Sequence, residues 1–285
     1  GMRDMMQKMG VTVNAYLPAA DLQTIKKAPQ AALNIVRRKK WALAMEQRFG
    51  TPFLHVADMQ EWHGIEGISD LYRQIGKMLG CEDAVEHVLQ EEYERVAARY
   101  QELRAEFAKY KFCLIAHGIA YLPDALRVYQ QDYGLPIEKI CIIMNPSYQA
   151  ETGLDDAMMQ RFKDRIELAK AEYGCEAQVL LEPSEDALRE AAQSCDFVIC
   201  NGHPRYASLN VPVLYNLFDR SVWNYQGFVD IMEEVWQMLQ QPQRTGSSLL
   251  LSKLAYDPVF YPMREADKDS KAARELYSRV WRQRK

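Results

Sequence analysis

Short apolar runs alternate with amphipathic helical segments along most of the chain. In the second half the runs are nearly continuous in apolar residues, as strands are when helices cover both faces of their sheet. Strands that alternate with helices predict an α/β fold with a parallel sheet. The predicted strands of this half are Phe112–Ala116, Ile137–Met144, Ala177–Leu181, Phe197–Cys200 and Val211–Tyr215.

The first part of the chain carries a shorter version of the same pattern. Strands are predicted at Val11–Leu17, Ala32–Val36 and Pro52–Val56, and a helix at Asp70–Leu79 with Ser69 as its N-cap. Because the pattern opens on a helix rather than a strand, we expect this domain to be incomplete. We also expect the chain to be the later part of a longer architecture.

A long helix is predicted between the two halves, over Ala84–Tyr110, from apolar residues at helical spacing. A connecting helix packed on one domain is the favoured interpretation, and a coiled-coil seam is the alternative. The predicted fold is therefore two Rossmann-like parallel-sheet domains joined by a long helix. Its boundaries are an incomplete domain at 1–83, the helix at 84–110, a full domain at 111–240 and a helical tail at 241–285.

The composition and net charge argue against several classes of function. The 285 residues are 48% hydrophobic and carry a formal net charge of -4, so no overall field favours nucleic acid or an anionic membrane. No apolar run approaches the roughly 18–20 residues that a membrane span needs. The N-terminus lacks the plan of a signal peptide, and the six cysteines have no regular spacing. We therefore predict a cytoplasmic protein with reduced thiols.

Polar and small residues follow the strands of the second half, where open parallel sheets bind ligands. Glycine permits close backbone approach, Asn and His offer donors and acceptors, and Arg can hold an anion in a fork. The alternative is that these side chains cap helices or pair with one another. The candidate ligand-binding residues are His117, Gly118, Asn145, Asn201, His203, Arg205, Asp219, Arg220 and Trp223.

A basic run, Arg37, Arg38, Lys39 and Lys40, follows a predicted strand and opens a helix. Positive side chains beside free backbone N–H groups suit a phosphate, a carboxylate or a negatively charged cluster. Cations are slightly unfavourable at a helix N-terminus, which also favours a bound anion. The alternative is a solvated helix start.

Other common motifs are missing from the sequence. It has no GxGxxG, no P-loop and no GxSxG, which disfavours a self-sufficient dinucleotide enzyme, NTPase or serine hydrolase. His55, Glu61, His63 and Glu66 fit no closed zinc pattern, so we predict a structural loop there and no metal site. Without a CxxC pair the cysteines are predicted to be buried free thiols.

A colinear series of motifs runs through most of the chain. Its first part is MRDMMQKMGVTVNAYLPAADLQTIKKAPQAALNIV, then RFGTPFLHV and GIEGISDLYRQIGKMLG. Its second part is KFCLIAHGIAYLPDALRVYQQDYGLPIEKICIIMN, SCDFVICNGHPRY, VPVLYNLFDR and NYQGFVDIMEEV. Over roughly Met2 to Leu239 this series resembles the middle and last domains of the nitrogenase component 1 family of oxidoreductases.

The resemblance implies cofactors and partners. Family members pair as heterodimers or homodimers, hold Fe–S clusters with a large metallocluster or a tetrapyrrole, and receive electrons from an ATP-dependent reductase. This chain departs from the pattern, because it lacks the first domain with its cluster cysteines. Arg37 and Arg38 lie where nitrogenase has a cofactor Cys, and Trp223 lies near the position of its cofactor His.

The leading hypothesis is a nitrogenase component 1-like subunit or fragment. It would bind a metallocluster or tetrapyrrole in an interdomain cleft, with a partner supplying the Fe–S domain. It would form an oligomer with a related subunit and use neither nucleic acid nor membrane. The alternative is a non-catalytic binding or carrier module on the same scaffold, so the sequence leaves open whether the chain is an enzyme.

Overall fold

The chain divides into two compact units. The structure is a computed structural model, and it describes residues 1–16, 20–56, 61–118, 122–144, 156–200, 206, 209–215, 222–240, 271 and 275. One unit joins Gly1–Glu102 with Phe218–Glu233, and the other joins Leu103–Leu217 with Glu234–Lys285. The sequence did not predict that the late segment Phe218–Glu233 belongs to the first unit. The four-part division predicted from the sequence stays a prediction.

The first unit contains a small parallel sheet of two described strands and several helices. Asn34 pairs with Phe53 and Val36 with His55 across this sheet. Its elements are α1 (Met2–Lys8), α2 (Leu22–Lys27), a 3-10 turn (Ala28–Gln30), β1 (Asn34–Val36), α3 (Lys39–Phe49), β2 (Phe53–His55), α4 (Gly64–Leu79), most of α5 (Glu82–Phe107) and the first part of α9 (Tyr225–Leu239).

The strand predicted at Val11–Leu17 is wrong for residues 11–16, and Leu17 lies outside the described residues. No ladder pairs with this stretch in the described part of the chain. The Asn14 side chain instead donates a hydrogen bond of 2.6 Å to the carbonyl of Lys27. Alternating apolar residues therefore do not form a strand here, because a strand needs a partner for its backbone groups.

Helix α4 begins at Gly64, six residues before the predicted start, so Ser69 is not its N-cap. Ser69 lies inside the helix, where its hydroxyl donates to the carbonyl of Ile65 at 2.6 Å. The core stripe of α4 repeats every three to four residues, as expected for one face of a helix. The fully buried members of this stripe are Ile68, Leu71, Tyr72 and Ile75.

The second unit is built on a five-stranded parallel sheet in the order β5-β4-β3-β6-β7. This confirms the predicted α/β class with parallel sheets. The strand predictions agree with the structure to within two residues. The elements are β3 (Phe112–His117), α6 (Leu122–Leu126), a π-helix (Arg127–Asp132), β4 (Ile137–Ile143), α7 (Asp156–Glu172), β5 (Gln178–Leu181), α8 (Glu185–Gln193), β6 (Phe197–Cys200) and β7 (Val213–Tyr215).

The single helix predicted at Pro123–Tyr133 is split into α6 and the π-helix. A π turn brings residues i and i+5 together, and Arg127 donates to Asp132 at 3.1 Å in that register. Both side chains are nearly buried. A nearly buried ion pair therefore joins the first and last residues of the π-helix.

The core on one face of the large sheet contains four of the six cysteines. Cys113, Cys141, Cys195 and Cys200 belong to one buried cluster with Leu188 of α8. If both lay within one strand, a spacing of five residues would direct Cys195 and Cys200 to opposite faces of the sheet, yet both lie in this cluster. Cys195 precedes β6, so the two-residue alternation of a strand does not govern its direction.

Among the described residues, no helix combines the length and apolar character that crossing a bilayer requires. Apart from Lys271 and Glu275, the predicted C-terminal tail lies outside the described residues.

Gly67 of α4 provides a test of close packing in the first unit. A Cβ at this position would lie 2.6 Å from the carbonyl oxygen of Glu61 and 2.7 Å from the carbonyl carbon of Trp62. Both atoms are backbone and cannot rotate away, so Gly67→Ala should destabilise the protein by about 1–3 kcal/mol. Chemical denaturation would measure this.

Lys77→Ala on the exposed side of α4 is the matched control, and its stability should stay within about 0.5 kcal/mol of the wild type. Equal stability of the Gly67 and Lys77 variants would contradict the close backbone approach at Gly67.

Candidate functional site

The strand order of the second unit creates a topological switch point. From β3 the chain proceeds to β4 and β5 on one side, and then returns to place β6 and β7 on the other. Open parallel sheets bind ligands outside the carboxyl ends of the two strands at such a reversal. Here these ends are His117 of β3 and Cys200 of β6. The switch point is therefore the candidate functional site of this unit.

His117 forms a close pair with Tyr206 at this edge. Nε2 of His117 lies 2.5 Å from the hydroxyl of Tyr206, and the two rings meet edge to face at a centroid distance of 5.8 Å. Tyr206 is fully buried, whereas His117 is partly exposed. A buried tyrosine held by core packing therefore fixes the direction of an imidazole that reaches the surface.

Gly118 continues the chain directly after His117. It adopts a left-handed conformation with φ +80°, and a Cβ built on it would meet no atom of the described residues within 4 Å, apart from its chain neighbours. Its N–H donates to the carbonyl of Ile143 in the neighbouring strand at 2.9 Å. Glycine is favoured here because of the positive φ, and the missing side chain permits close approach to the backbone next to His117.

Two further strand ends complete the described part of the edge. Glu182 follows β5 with φ +50°, and its carboxylate accepts a hydrogen bond from the backbone N–H of Met144 beyond β4. Tyr215 ends β7 with 48% of its surface exposed. The edge therefore offers an imidazole, a phenol, a carboxylate and an exposed aromatic ring.

Of the described residues at this edge, the sequence singled out His117 and Gly118 as candidates but not Tyr206 or Glu182. Tyr206 closes the quoted SCDFVICNGHPRY motif, so its position after β6 was a usable signal. Glu182 is a polar residue directly after a predicted strand, and this is the signal that identified the candidates at the other strand ends. It also precedes Pro183.

The basic run lies in the first unit. Arg37, Arg38, Lys39 and Lys40 are all exposed at the start of α3. Arg38 occupies the N-cap position, and no side chain caps the helix. No ion pair joins these four cations to another residue in the described part of the chain. Their role in binding an anionic ligand stays a prediction.

Trp223 also lies in the first unit, before α9. The hydroxyl of Tyr72 donates to its carbonyl at 2.6 Å, and Ser69 shares a hydrogen bond of 2.7 Å with Tyr225. The Asn224 side chain accepts from the backbone N–H of Gly227 at 3.0 Å, so α9 already has an N-cap. This region is thus fixed to α4 by two hydroxyl groups.

The structure thus divides the described candidates between the units, with His117 and Gly118 in one and Arg37, Arg38, Lys39 and Trp223 in the other. The remaining candidates lie outside the described residues, and their roles stay predictions. They are Asn145, Asn201, His203, Arg205, Asp219 and Arg220.

The cysteines do not fit an Fe–S cluster of the kind the resemblance implies. Cluster ligands are thiolates brought together around the metal. The hydrogen bond with Cys141 and burial raise the pKa of the Cys113 thiol, and burial raises the pKa of Cys175, Cys195 and Cys200. Within the described ranges, no three His, Cys, Asp or Glu side chains converge as metal ligands. These cysteines are core residues.

The comparisons with solved structures find the same architecture. The structure of "Nitrogenase Cp1 at pH 5" matches with a TM-score of 0.56 and 15% identity, over 85% of this chain and 53% of that chain. "Nitrogenase Cp1 at pH 6.5" matches with a TM-score of 0.54 and 14% identity, over 85% and 55%. At this identity the likeness concerns the fold. The chain spans about half the length of these structures.

The sequence comparisons identify the family. No curated protein matches the sequence significantly. The profile of the family described as "Nitrogenase component 1 type Oxidoreductase" matches residues 1–240. That range holds both sheets and every residue named above as a candidate. The chain therefore belongs to the nitrogenase component 1 type oxidoreductase family.

Proposed function

We propose that this chain is a nitrogenase component 1-like oxidoreductase subunit that binds a tetrapyrrole at the carboxyl edge of its five-stranded sheet. The observation that supports this most is the His117–Tyr206 pair, 2.5 Å apart at the switch point of the sheet. In this proposal the tetrapyrrole is either the substrate of the oxidoreductase or the molecule that the protein carries.

The chemistry of the edge suits a large planar molecule with acidic substituents. His117 offers a polar nitrogen from a fixed direction, and the open space at Gly118 lets a flat ring approach the backbone. Tyr215 supplies an exposed aromatic face two strands away, which can stack on a conjugated ring. Tyr206 acts through His117 as a positioning residue, because it is fully buried.

The Fe–S ligands must come from elsewhere in this proposal. Five of the six cysteines are buried, so in this proposal a partner subunit supplies the cluster domain. An ATP-dependent reductase would then deliver the electrons. The part of this chain in the reaction is to bind and orient the ring.

A second candidate function is a non-catalytic carrier that uses the same edge. The burial of five of the six thiols favours it, because a carrier needs a ligand site but no cluster ligands. The two functions share the site and differ in whether a reductase partner changes the bound molecule.

Binding of protoporphyrin IX, followed by its fluorescence, tests the proposed site. His117→Gln should weaken binding about tenfold or more, which corresponds to about 1.4 kcal/mol, because the oriented imidazole is lost. Tyr206→Phe should weaken binding less, by about threefold to tenfold, since it removes one hydrogen bond and leaves the ring in place.

Tyr110→Phe is the matched control for these variants. It also removes a tyrosine hydroxyl with a hydrogen bond, 3.0 Å from Gln240, but near the amino end of β3. Its affinity should equal that of the wild type. Failure of the wild type to bind protoporphyrin IX, or equal affinity in all four proteins, would refute the tetrapyrrole site.

A further prediction concerns thiol reactivity in the folded protein. Of the six cysteines, Cys81 is partly exposed and the other five are buried. Burial keeps all five thiols away from the reagent, and the raised pKa values of Cys113, Cys175, Cys195 and Cys200 further lower their reactivity at neutral pH. Titration with Ellman's reagent should therefore modify about one thiol per chain before unfolding and all six in denaturant.

Cys81→Ser should abolish the fast reaction of the folded protein and leave its melting temperature within a few degrees. Rapid modification of two or more thiols in the folded wild type would contradict the assignment of Cys113, Cys141 and Cys200 to the core.

A further inference from the structure

The backbone of Glu182 adopts an unusual conformation at the carboxyl edge of the five-stranded sheet. Its φ is +50°, a left-handed value that is unfavourable for a residue with a side chain. Pro183 follows directly, and a proline favours an extended conformation in the residue before it. A residue in such a conformation persists only where the surrounding structure holds it, and residues of this kind are frequent where proteins bind ligands.

Two hydrogen bonds hold Glu182 in this conformation. Its backbone N–H donates to the carbonyl of Ile142 at 2.8 Å, which continues the pairing of β5 with β4. One oxygen of its carboxylate accepts from the backbone N–H of Met144, the residue that follows β4. The carboxylate is therefore held at the end of β4, at the edge where the proposed ligand binds.

The register of the sheet places Glu182 level with His117. Ile143 is the ladder partner of His117, and Ile142 is the partner of Leu181, which directly precedes Glu182. Neighbouring strands lie about 4.8 Å apart, so two strand spacings separate the backbones of His117 and Glu182 by about 10 Å. A ring that contacts His117 and extends along the edge toward β5 therefore meets the carboxylate of Glu182.

The β5 end of the edge carries negative charge. None of the ion pairs among the described residues involves Glu182. Helix α8 begins three residues later, and its first turn contains Glu185 and Asp186. The side chain of Ser184 caps this helix by accepting from the N–H of Ala187. Because the positive end of the α8 dipole already has two carboxylates of its own, it does not draw an acidic group of a ligand to this end of the edge.

We propose that Glu182 selects among tetrapyrroles by repelling acidic substituents from the β5 end of the edge. This selectivity rests on the proposed function, because it concerns the same ligand at the same edge. A ring with its carboxylates on one side can turn that side away from Glu182, whereas a ring with carboxylates on every side cannot. The edge therefore favours rings of the first class, such as protoporphyrin IX, over rings of the second class, such as coproporphyrin III.

Fluorescence titration of the full chain with each of these porphyrins measures the preference as a ratio of dissociation constants. In 50 mM salt the wild type should bind coproporphyrin III about tenfold more weakly than protoporphyrin IX, or weaker still, because like charges that meet in a complex are strongly unfavourable. In 500 mM salt the ratio should fall, because salt screens the repulsion from a partly exposed carboxylate.

Two substitutions separate the charge of Glu182 from its hydrogen bond. Glu182→Gln keeps an oxygen that can accept from Met144 but removes the charge, so it should strengthen binding of coproporphyrin III by about threefold to tenfold and bring the ratio to about threefold or less. Glu182→Asp keeps the charge and should keep most of the preference. Glu176→Gln is the matched control, because it removes an exposed carboxylate before the amino end of the same strand, and its ratio should equal that of the wild type.

The outcomes distinguish this selectivity from the proposed function. A wild type that binds neither porphyrin overturns both the tetrapyrrole site and the role of Glu182. Binding of protoporphyrin IX with an unchanged ratio in Glu182→Gln overturns the role of Glu182 alone. A ratio that falls only because Glu182→Gln binds protoporphyrin IX more weakly also overturns it, since the side chain would then attract the ring. Melting temperatures within a few degrees of the wild type would show that the ratios do not reflect unfolding.

Discussion

The parallel pairing of β3 with both β4 and β6 is the constraint on which the candidate site depends. It places the first strand of the second unit at the centre of the sheet. The chain must then leave β3 in one direction and return on the other side, which opens a crevice at the carboxyl ends. His117 and Tyr206 meet there because their segments follow the two strands that flank this crevice.

The second unit was largely predictable from the sequence because its strands are buried on both faces. Phe112–His117 and Phe197–Cys200 are nearly continuous apolar runs. In a chain where such runs alternate with helices, they predict buried strands of a parallel sheet. The family resemblance added the order of the motifs. Of the edge residues, His117 and Gly118 were found because they directly follow a recognisable strand.

The remaining features depend on contacts that local patterns do not contain. Ser69 has the chemistry of an N-cap, but it is buried inside α4 against Ile65 and Tyr225. Cys195 and Cys200 share one core cluster because the strand begins between them. The partner of His117 lies 89 residues away along the chain, so spacing alone did not identify Tyr206.

The same burial that stabilises the large sheet also limits its chemistry. Four cysteines pack in its core. The hydrogen bond with Cys141 and burial raise the thiol pKa of Cys113, and burial raises the pKa of Cys195 and Cys200, so these side chains act as apolar core residues. The described polar side chains considered for ligand binding lie instead at the edge of this sheet and at the start of α3, which belong to different units.

Hydrogen–deuterium exchange with and without saturating protoporphyrin IX tests the location of the ligand site most directly. The account predicts slower exchange in peptides that span 116–122 and 200–209, which follow β3 and β6 at the switch point. Peptides that cover β2 and α3 should keep their exchange rates. Protection confined to residues 34–56, with no change after β3 and β6, would contradict a site at the edge of the five-stranded sheet.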